Sequence, residues 1–468
     1  MTAPADRRPP AETIAAISTP PGRGGVGVIR VSGPDVPSVI AGILRETLAP
    51  RRATRSTFRG NGGEAIDQGL AIHFPAPRSY TGEDVLELHG HGGAAVLRLV
   101  LARCTELGAR LARPGEFTQR AFLNGKLDLA QAESVADLID AATATAARAA
   151  ARSLSGVFST QIGALVDALI ELRMFIEATL DFPEEDVEFV RAADVRNRID
   201  EVAARIEAVL VRAKQGALLR EGLSVVLVGR PNVGKSSLLN QLAGQDLAIV
   251  TPIAGTTRDA VQSPVEIDGI PLTIIDTAGL RATDDPIETI GIERTWTAIA
   301  AADLALVLVD AQAGDRMSQA DAAILGRLPA SLPRLVVHNK IDLAGLSPTV
   351  TTRSSNSHAE GSREERHVYL SAKTGEGVAL LKREILALAD VQGDMEDTFL
   401  ARARHVEALR AAAGHLDSAR AQLAAAKPPL ELAAEDLRAA HTALSAITGE
   451  FTSDDLLGVI FSRFCIGK

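Results

Sequence analysis

Near the middle of the chain the apolar run LSVVLV leads straight into Gly229-Arg230-Pro231-Asn232-Val233-Gly234-Lys235-Ser236. A run of that kind predicts a strand buried on both faces, the habit of a parallel sheet. The residues after it fit G-x-x-x-x-G-K-[ST], a loop whose glycines let successive backbone N–H groups turn towards phosphate oxygens. Lys235 adds a point charge, and the Ser236 hydroxyl is a ligand for Mg²⁺. The helix starting near Ser236 offers the positive end of its dipole to the same anion. Such a loop works between a strand and a helix, so this part of the chain is expected to be an α/β domain. The runs LTIIDTAG, DLALVLVD, RLVVHNK and HVYLSAK, separated by helical segments, supply the other strands of a mostly parallel sheet.

A phosphate cradle does not choose a base, so the later motifs decide. Asp276-Thr277-Ala278-Gly279 ends a strand where the Asp276 carboxylate can reach Mg²⁺ through water and the Gly279 amide can meet a γ-phosphate. Asn339-Lys340-Ile341-Asp342 ends another, and a carboxylate that accepts from N1 and N2 of guanine finds no such donors on adenine. Ser371-Ala372-Lys373 follows the next strand and places a backbone amide for the guanine O6. Four motifs in this order, each at a strand's C-terminal end, specify a GTP site. The set resembles the translation-factor-related GTPases. In that resemblance Thr251-Pro252-Ile253-Ala254-Gly255-Thr256-Thr257 is the first switch, Thr257 joins Ser236 on Mg²⁺, and Asn232, Val233 and Ser237 complete the phosphate loop. Leu280 stands where many small GTPases carry a water-orienting glutamine, and leucine cannot orient water. Arg281 and Glu288, just downstream, are the candidates to replace it.

With 468 residues the chain has room for about three domains. Residues 13 to about 124 are Gly-rich with short β-type runs (TIAAIS, GVGVIRVSG, GLAIHF, DVLELHG), which suggests an α+β module. From Leu127 the texture turns helical, and Phe158, Ile162, Leu165, Leu169, Leu172 and Ile176 form a stripe that reads as a bundle core. Ala344 to Arg366, rich in Ser, Thr, Arg and Glu, is expected to be a poorly ordered insertion. Helical sequence returns after about Val391, so the α/β domain is expected to be inserted between two helical segments. A net charge of −10 argues against a chain that coats nucleic acid, while leaving room for a local basic patch. Aromatic residues at 3% make stacking platforms for single strands unlikely on this chain's own composition. Two cysteines cannot make a disulfide scaffold, Cys104 reads as core, and no apolar run reaches the roughly 18 residues of a membrane span.

The flanks carry a closer likeness. TPPGRGGVGVIRVSG, TGEDVLELHGHGG, RPGEFTQRAFLNGKLDLAQAE, ITGEFTSDDLLG and the terminal FCIGK resemble the MnmE/TrmE tRNA modification GTPase family. That resemblance implies an N-terminal tetrahydrofolate-binding and dimerisation domain (1–124), a helical domain (125–220 and 391–468) and an inserted Ras-like G domain (221–390). It implies a cytoplasmic homodimer without membrane contact, acting with the FAD-dependent partner MnmG (GidA) on the wobble uridine of certain tRNAs. The one-carbon cofactor would be a 5-formyl- or methylene-tetrahydrofolate, matched to Arg30, Glu87, Lys126 and Lys468. K⁺ would be held by Asn232, Thr251, Ile253 and Thr256, and Glu288 would be the catalytic carboxylate. Cys465, in the Cys-Ile-Gly-Lys terminus, is a candidate nucleophile or base beside the folate. His89-Gly90-His91 reads as pocket wall rather than a metal pair, and the five carboxylates from Asp181 to Glu188 read as a solvated loop. Two rivals remain at this level. One is an RNA-binding assembly switch, which would need a basic module outside the G domain, and the other is a folate-dependent methyltransferase acting alone.

Overall fold

The short β-type runs in the first 124 residues pair into one layer, with Ile14–Ile17 buried almost throughout and Thr54–Arg59 alternating between buried and more exposed side chains. The structure is a computed structural model. It describes residues 12–181, 192–230, 232–244, 262–276, 302–313, 326, 328–329, 331–356, 362–389, 391, 398–425, 428–450, 454–462, 464–465 and 467. The first layer contains β1 (Ile14–Ile17), β2 (Gly24–Ser32), α1 (Val36–Ile43), β3 (Thr54–Arg59), β4 (Ala65–Phe74), β5 (Val85–Gly92), α2 (Ala94–Glu106), β6 (Arg110–Leu111) and α3 (Glu116–Leu123). The sheet order is β3-β4-β5-β2-β1-β6, antiparallel except where β6 runs parallel to β1. Ile29, Val31, Leu86 and Leu88 of the sheet pack on Val36, Val39 and Ile43 of α1 and on Leu97 and Val100 of α2. Cys104 belongs to this core, and burial pushes its thiol up to about 12, so it is inert filling. Helices α4 (Leu129–Asp140), α5 (Ala144–Leu154), α6 (Val157–Asp181) and α7 (Ala192–Glu221) follow.

The second sheet contains β7 (Leu223–Gly229), α8 (Lys235–Ala243), β8 (Gln262–Ile267), β9 (Ile270–Asp276), β10 (Leu304–Asp310), β11 (Arg334–Asn339), α9 (Ile341–Ala344), β12 (Thr349–Asn356), β13 (Ser362–Tyr369) and α10 (Val378–Leu388). Its order is β12-β13-β11-β10-β7-β9-β8, parallel through the centre with β12 and β8 antiparallel at the edges. Val225, Leu227, Leu306, Leu308, Leu335 and Val337 fill one face of the central strands, as the uninterrupted apolar runs require. The stretch expected to be a disordered insertion is different. Thr349–Asn356 and Ser362–Tyr369 form an antiparallel hairpin on the sheet edge. The β-branched Thr-Val-Thr-Thr run pairs with His367, Val368 and Tyr369, and polar composition simply reflects an edge with one wet face.

The chain ends in α11 (Ala403–Leu423), α12 (Leu430–Thr448) and α13 (Asp454–Ser462). Two compact units result: Met1–Ala136 with Ser153–Arg205 and Ala411–Lys468, and Asp137–Arg152 with Ile206–Arg410. In the first unit α6 packs along α12, and its stripe from Phe158 to Ile176 is buried, as a bundle core should be. Phe461 and Phe464 pack with Leu129 and Ala132, which docks the C-terminal end near α3. Gly115, at φ +66, lets this happen, since a Cβ there would lie 2.6 Å from the Phe461 carbonyl oxygen. In the second unit the buried Asp137 carboxylate accepts from Arg220 Nε at 2.8 Å and from Arg402 Nη2 at 2.8 Å. It thereby ties together the segments that enter and leave the parallel sheet. No single helix among the described residues is long and apolar enough to cross a membrane.

Glu116, at the start of α3, is 2% exposed. Burial alone would push its carboxyl up, but Arg110 (2.6 and 2.8 Å), the Arg113 N–H (2.9 Å) and Arg120 (3.1 Å) outweigh it and hold it at about 2, against 4.5 ordinarily. A depressed folded pKa gives stability that is complete above pH 4.5 and is lost as the pH falls to about 2. The interval corresponds to an order of 3 kcal/mol at most. Urea midpoints should therefore fall more steeply from pH 5 to pH 3 in the natural protein than in Glu116→Gln, as measured by circular dichroism.

Candidate functional site

The phosphate loop leaves β7 at Gly229, φ +157, where a Cβ would lie 2.6 Å from the Leu308 carbonyl oxygen of the neighbouring strand. Asn232 is left-handed at φ +64 and exposed, and Gly234 at φ +104 opens α8 with no side chain capping it. The first N–H groups of α8 are thus free of a side-chain cap, the arrangement that receives phosphate oxygens. Lys235 lies in the same loop, its ammonium donating to the carbonyls of Gly229 (2.6 Å) and Arg230 (3.1 Å). Ser236 and Ser237 are exposed in the first turn. The uncapped start of α8 and the exposed Ser236 hydroxyl are groups that could receive a nucleotide's phosphates and a Mg²⁺.

Asn339 joins this loop to the other two motifs. Its Nδ2 donates to the Val233 carbonyl at 2.7 Å, and its Oδ1 accepts from the Ala372 N–H at 2.8 Å. The side chain lies so close to the loop that a Cβ on Gly234 would sit 2.1 Å from Nδ2. Lys340 follows with φ +69, and its ammonium reaches Asp310 Oδ2 at 2.7 Å across the ends of β10 and β11. The other Asp310 oxygen accepts from the Gln312 N–H at 3.0 Å. Burial would raise the Asp310 carboxyl, but Lys340 and the Gln312 N–H hold it below its ordinary value. Asp342 is exposed in the first turn of α9. Ser371 and Ala372 are buried in a turn closed by Gly375 N–H to Ser371 O at 2.9 Å, while Lys373 is exposed. The loop and the two base-side motifs therefore converge at one end of the sheet. Asp276 ends β9, paired with Leu227 of β7. Thr251, Pro252, Ile253, Ala254, Gly255, Thr256, Thr257, Thr277, Ala278, Gly279, Arg281 and Glu288 lie outside the described residues.

A second constellation lies in the first unit. Arg30 on β2 faces Glu87 on β5, donating from Nε (3.1 Å) and Nη2 (2.9 Å) to one carboxylate oxygen. Its guanidinium is 5.3 Å from the Tyr80 ring and 5.7 Å from the Phe117 ring, within cation–π range. The other Glu87 oxygen meets His89 Nε2 at 3.2 Å. Lys126 is exposed and donates to Pro77 O at 3.1 Å, in the loop that carries Tyr80. Cys465 is exposed, and its carbonyl accepts from Gly115 N–H at 3.3 Å. Ser18 Oγ donates to Gly467 O at 3.0 Å, so the terminal motif lies on the end of β1. Lys468 and the acidic run after Asp181 are outside the described residues. His91 bonds Asp67 at 2.7 Å, and no three candidate ligands cluster among the described residues. Tyr80, Phe117 and Asp310 escaped the sequence reading. A lone aromatic or a strand-end aspartate carries no motif, although the Asp at the end of DLALVLVD was visible.

A phosphate loop, an Asn-Lys-x-Asp strand end and a Ser-Ala-Lys turn on one parallel sheet define a P-loop GTPase. Residues 13–126 match the family described as GTP-binding protein TrmE N-terminus, and residues 129–465 match the MnmE helical domain. The tRNA modification GTPase MnmE of Dechloromonas aromatica is 57% identical over 98% of this chain and 99% of its own. That of Thiobacillus denitrificans is 55% identical over the full length of both. The chain belongs to the MnmE family of tRNA modification GTPases.

Asn339→Ala removes two hydrogen bonds and orphans two buried backbone groups at about 1–3 kcal/mol each. Isothermal titration should show the GDP dissociation constant rising by about 30-fold or more, with the melting temperature reporting any loss of fold separately.

Proposed function

We propose that this GTPase, with the FAD-dependent partner MnmG, installs an aminomethyl or carboxymethylaminomethyl group at carbon 5 of the wobble uridine of certain tRNAs. The observation that carries the reading is the pairing, in one chain, of a guanine-type site in the parallel-sheet unit with the Arg30–Glu87 constellation in the other. Asn339 holds the phosphate loop and the Ser-Ala-Lys turn in register, and Lys340 lines the base. Asp342 would be covered by the base itself, and adenine would leave that carboxylate without donors. Ser236 and Thr257 would hold Mg²⁺ at the phosphates.

Asn232, with Thr251, Ile253 and Thr256, would hold K⁺, which supplies positive charge at the β–γ bridge in place of an arginine finger. Glu288 would position the attacking water, the task Leu280 cannot perform. A homodimer is expected, because that scheme has two G domains facing each other. In the first unit a carboxylate such as Glu87 can accept from the N–H groups of a pterin ring, and it keeps lone pairs beyond those used by Arg30 and His89. Tyr80 and Phe117 offer apolar faces beside it. Lys126 and Lys468 would meet a glutamate tail. The folate supplies the one-carbon unit when bound. Cys465 would stand by as nucleophile or base, in the terminal motif docked at β1.

Replacing K⁺ by Na⁺ should lower the GTPase rate by at least about tenfold. Equal rates in the two salts remove the cation assignment. Glu288→Ala should slow single-turnover hydrolysis by about 100-fold while leaving GDP binding unchanged. Nucleoside analysis of tRNA from a deletion strain should lack the carbon-5 substituents at the wobble uridine, and their persistence would remove the modification reading altogether.

A further inference from the structure

Between positions 45 and 59 the chain places five arginines against one glutamate, inside a protein of net charge −10. Three of them, Arg45, Arg55 and Arg59, line one groove of about 690 Å³ together with Ser56, Thr57 and Gln68. The groove lies on β3, the edge strand of the first sheet, whose partner is β4. Ser56 and Phe58 are buried on one side of that strand, so strand alternation sends Arg55, Thr57 and Arg59 to the other. Arg51 and Arg52, exposed just before β3, extend the basic strip, and Arg51 donates to the Arg78 carbonyl at 2.7 Å.

These side chains differ from the arginines that hold each of the two units together. Arg30, Arg103, Arg110, Arg120, Arg220 and Arg402 are each paired with a carboxylate. Among the described residues Arg45, Arg51, Arg52, Arg55, Arg59 and Arg78 have no carboxylate within ion-pair distance. Arg55 reaches only the neutral Gln68 Oε1 at 3.4 Å, and Arg59 only the Gly63 carbonyl at 3.2 Å. The groove lining therefore carries three guanidinium groups outside ion pairs, a net positive charge. Glu46 is the one acidic residue in that lining.

We infer that this groove on β3 binds the sugar–phosphate backbone of RNA, through Arg45, Arg55 and Arg59 with Thr57 as a hydroxyl donor. The lining is the donor set used for phosphate oxygens, guanidinium forks with a hydroxyl between them. A protein partner would be met by aromatic and apolar anchors, and the groove's only apolar member, Leu44, is 4% exposed. Such contacts position an RNA without reading its sequence. The inference rests on tRNA being the substrate, and it assigns part of the grip on that substrate to the N-terminal unit.

The test uses the full-length protein and a fluorescently labelled tRNA transcript, with anisotropy titrations across a series of KCl concentrations. Each phosphate neutralised adds about 0.7–0.9 to the slope of log K against log salt. Arg45→Ala/Arg55→Ala/Arg59→Ala should flatten that slope by about 2 and weaken binding by at least about tenfold, equally for unrelated tRNAs. The corresponding triple lysine variant should recover most of the slope, because point charges suffice for phosphate. Circular dichroism melting shows whether the alanine variant is folded; if it is not, Arg55→Gln/Arg59→Gln carries the same comparison. An unchanged slope in a folded variant overturns the groove. So does a shift from dimer to monomer in light scattering with RNA affinity intact, which would make the strip a subunit contact. Failure of the natural protein to bind tRNA at any salt concentration would instead overturn the modification reading on which the inference rests.

Discussion

One side chain holds the nucleotide end of this protein together. Asn339 is 2% exposed, and it satisfies a carbonyl of the phosphate loop with its amide nitrogen and an N–H of the Ser-Ala-Lys turn with its oxygen. Three loops from three strands thereby share one hinge point, and the distances between phosphate site and base site are set by a single planar amide. The fit is tight enough to constrain a second residue, since a side chain at position 234 would have to displace the Asn339 amide. Position 234 is glycine for this reason as much as for its φ of +104.

The same economy appears in the ion pairs. Glu116 gathers Arg110, Arg113 and Arg120 around one buried carboxylate at the start of α3, and Asp137 gathers Arg220 and Arg402 where the chain enters and leaves the parallel sheet. In both places a carboxylate that could not be left unpaired in the interior is matched by arginines, from within six residues at Glu116 and from sequence-distant segments at Asp137. The basic strip on β3 departs from this pattern. An acidic chain that neutralises its buried arginines while leaving a cluster of exposed ones unpaired concentrates its positive field in one place, and a field of that sign draws polyanions.

The guanine-type site and the Arg30–Glu87 constellation occupy different compact units. The four divisions between those units fall within α4, α5, α7 and α11, inside continuous helices rather than in loops. That explains why a boundary placed by texture, where helical sequence begins at Leu127 or returns after about Val391, differs from the grouping of contacts. Residues 137–152 are helical in sequence, yet Ala149 and Ala150 pack in the core of the parallel sheet. Thr143 also donates to the Gly269 carbonyl of the β8–β9 turn at 2.8 Å.

The amino-acid sequence alone determined the parallel sheet, the phosphate loop and the two base-side motifs. Each is written in contiguous residues whose spacing has only one workable backbone. It also determined the buried stripe of α6, because a helix's periodicity is local. The edge hairpin at Thr349–Asn356 and Ser362–Tyr369 was misread as disorder, since an edge strand needs only half a hydrophobic pattern and polar composition hides it. Tertiary structure decided everything that depends on two distant segments meeting. Arg30 between Tyr80 and Phe117, Lys340 on Asp310, the C-terminal motif on β1, and three arginines around one groove are all of this kind. A charge or a ring gains its role from what faces it, and no spacing along a single chain segment encodes the identity of a neighbour across a sheet.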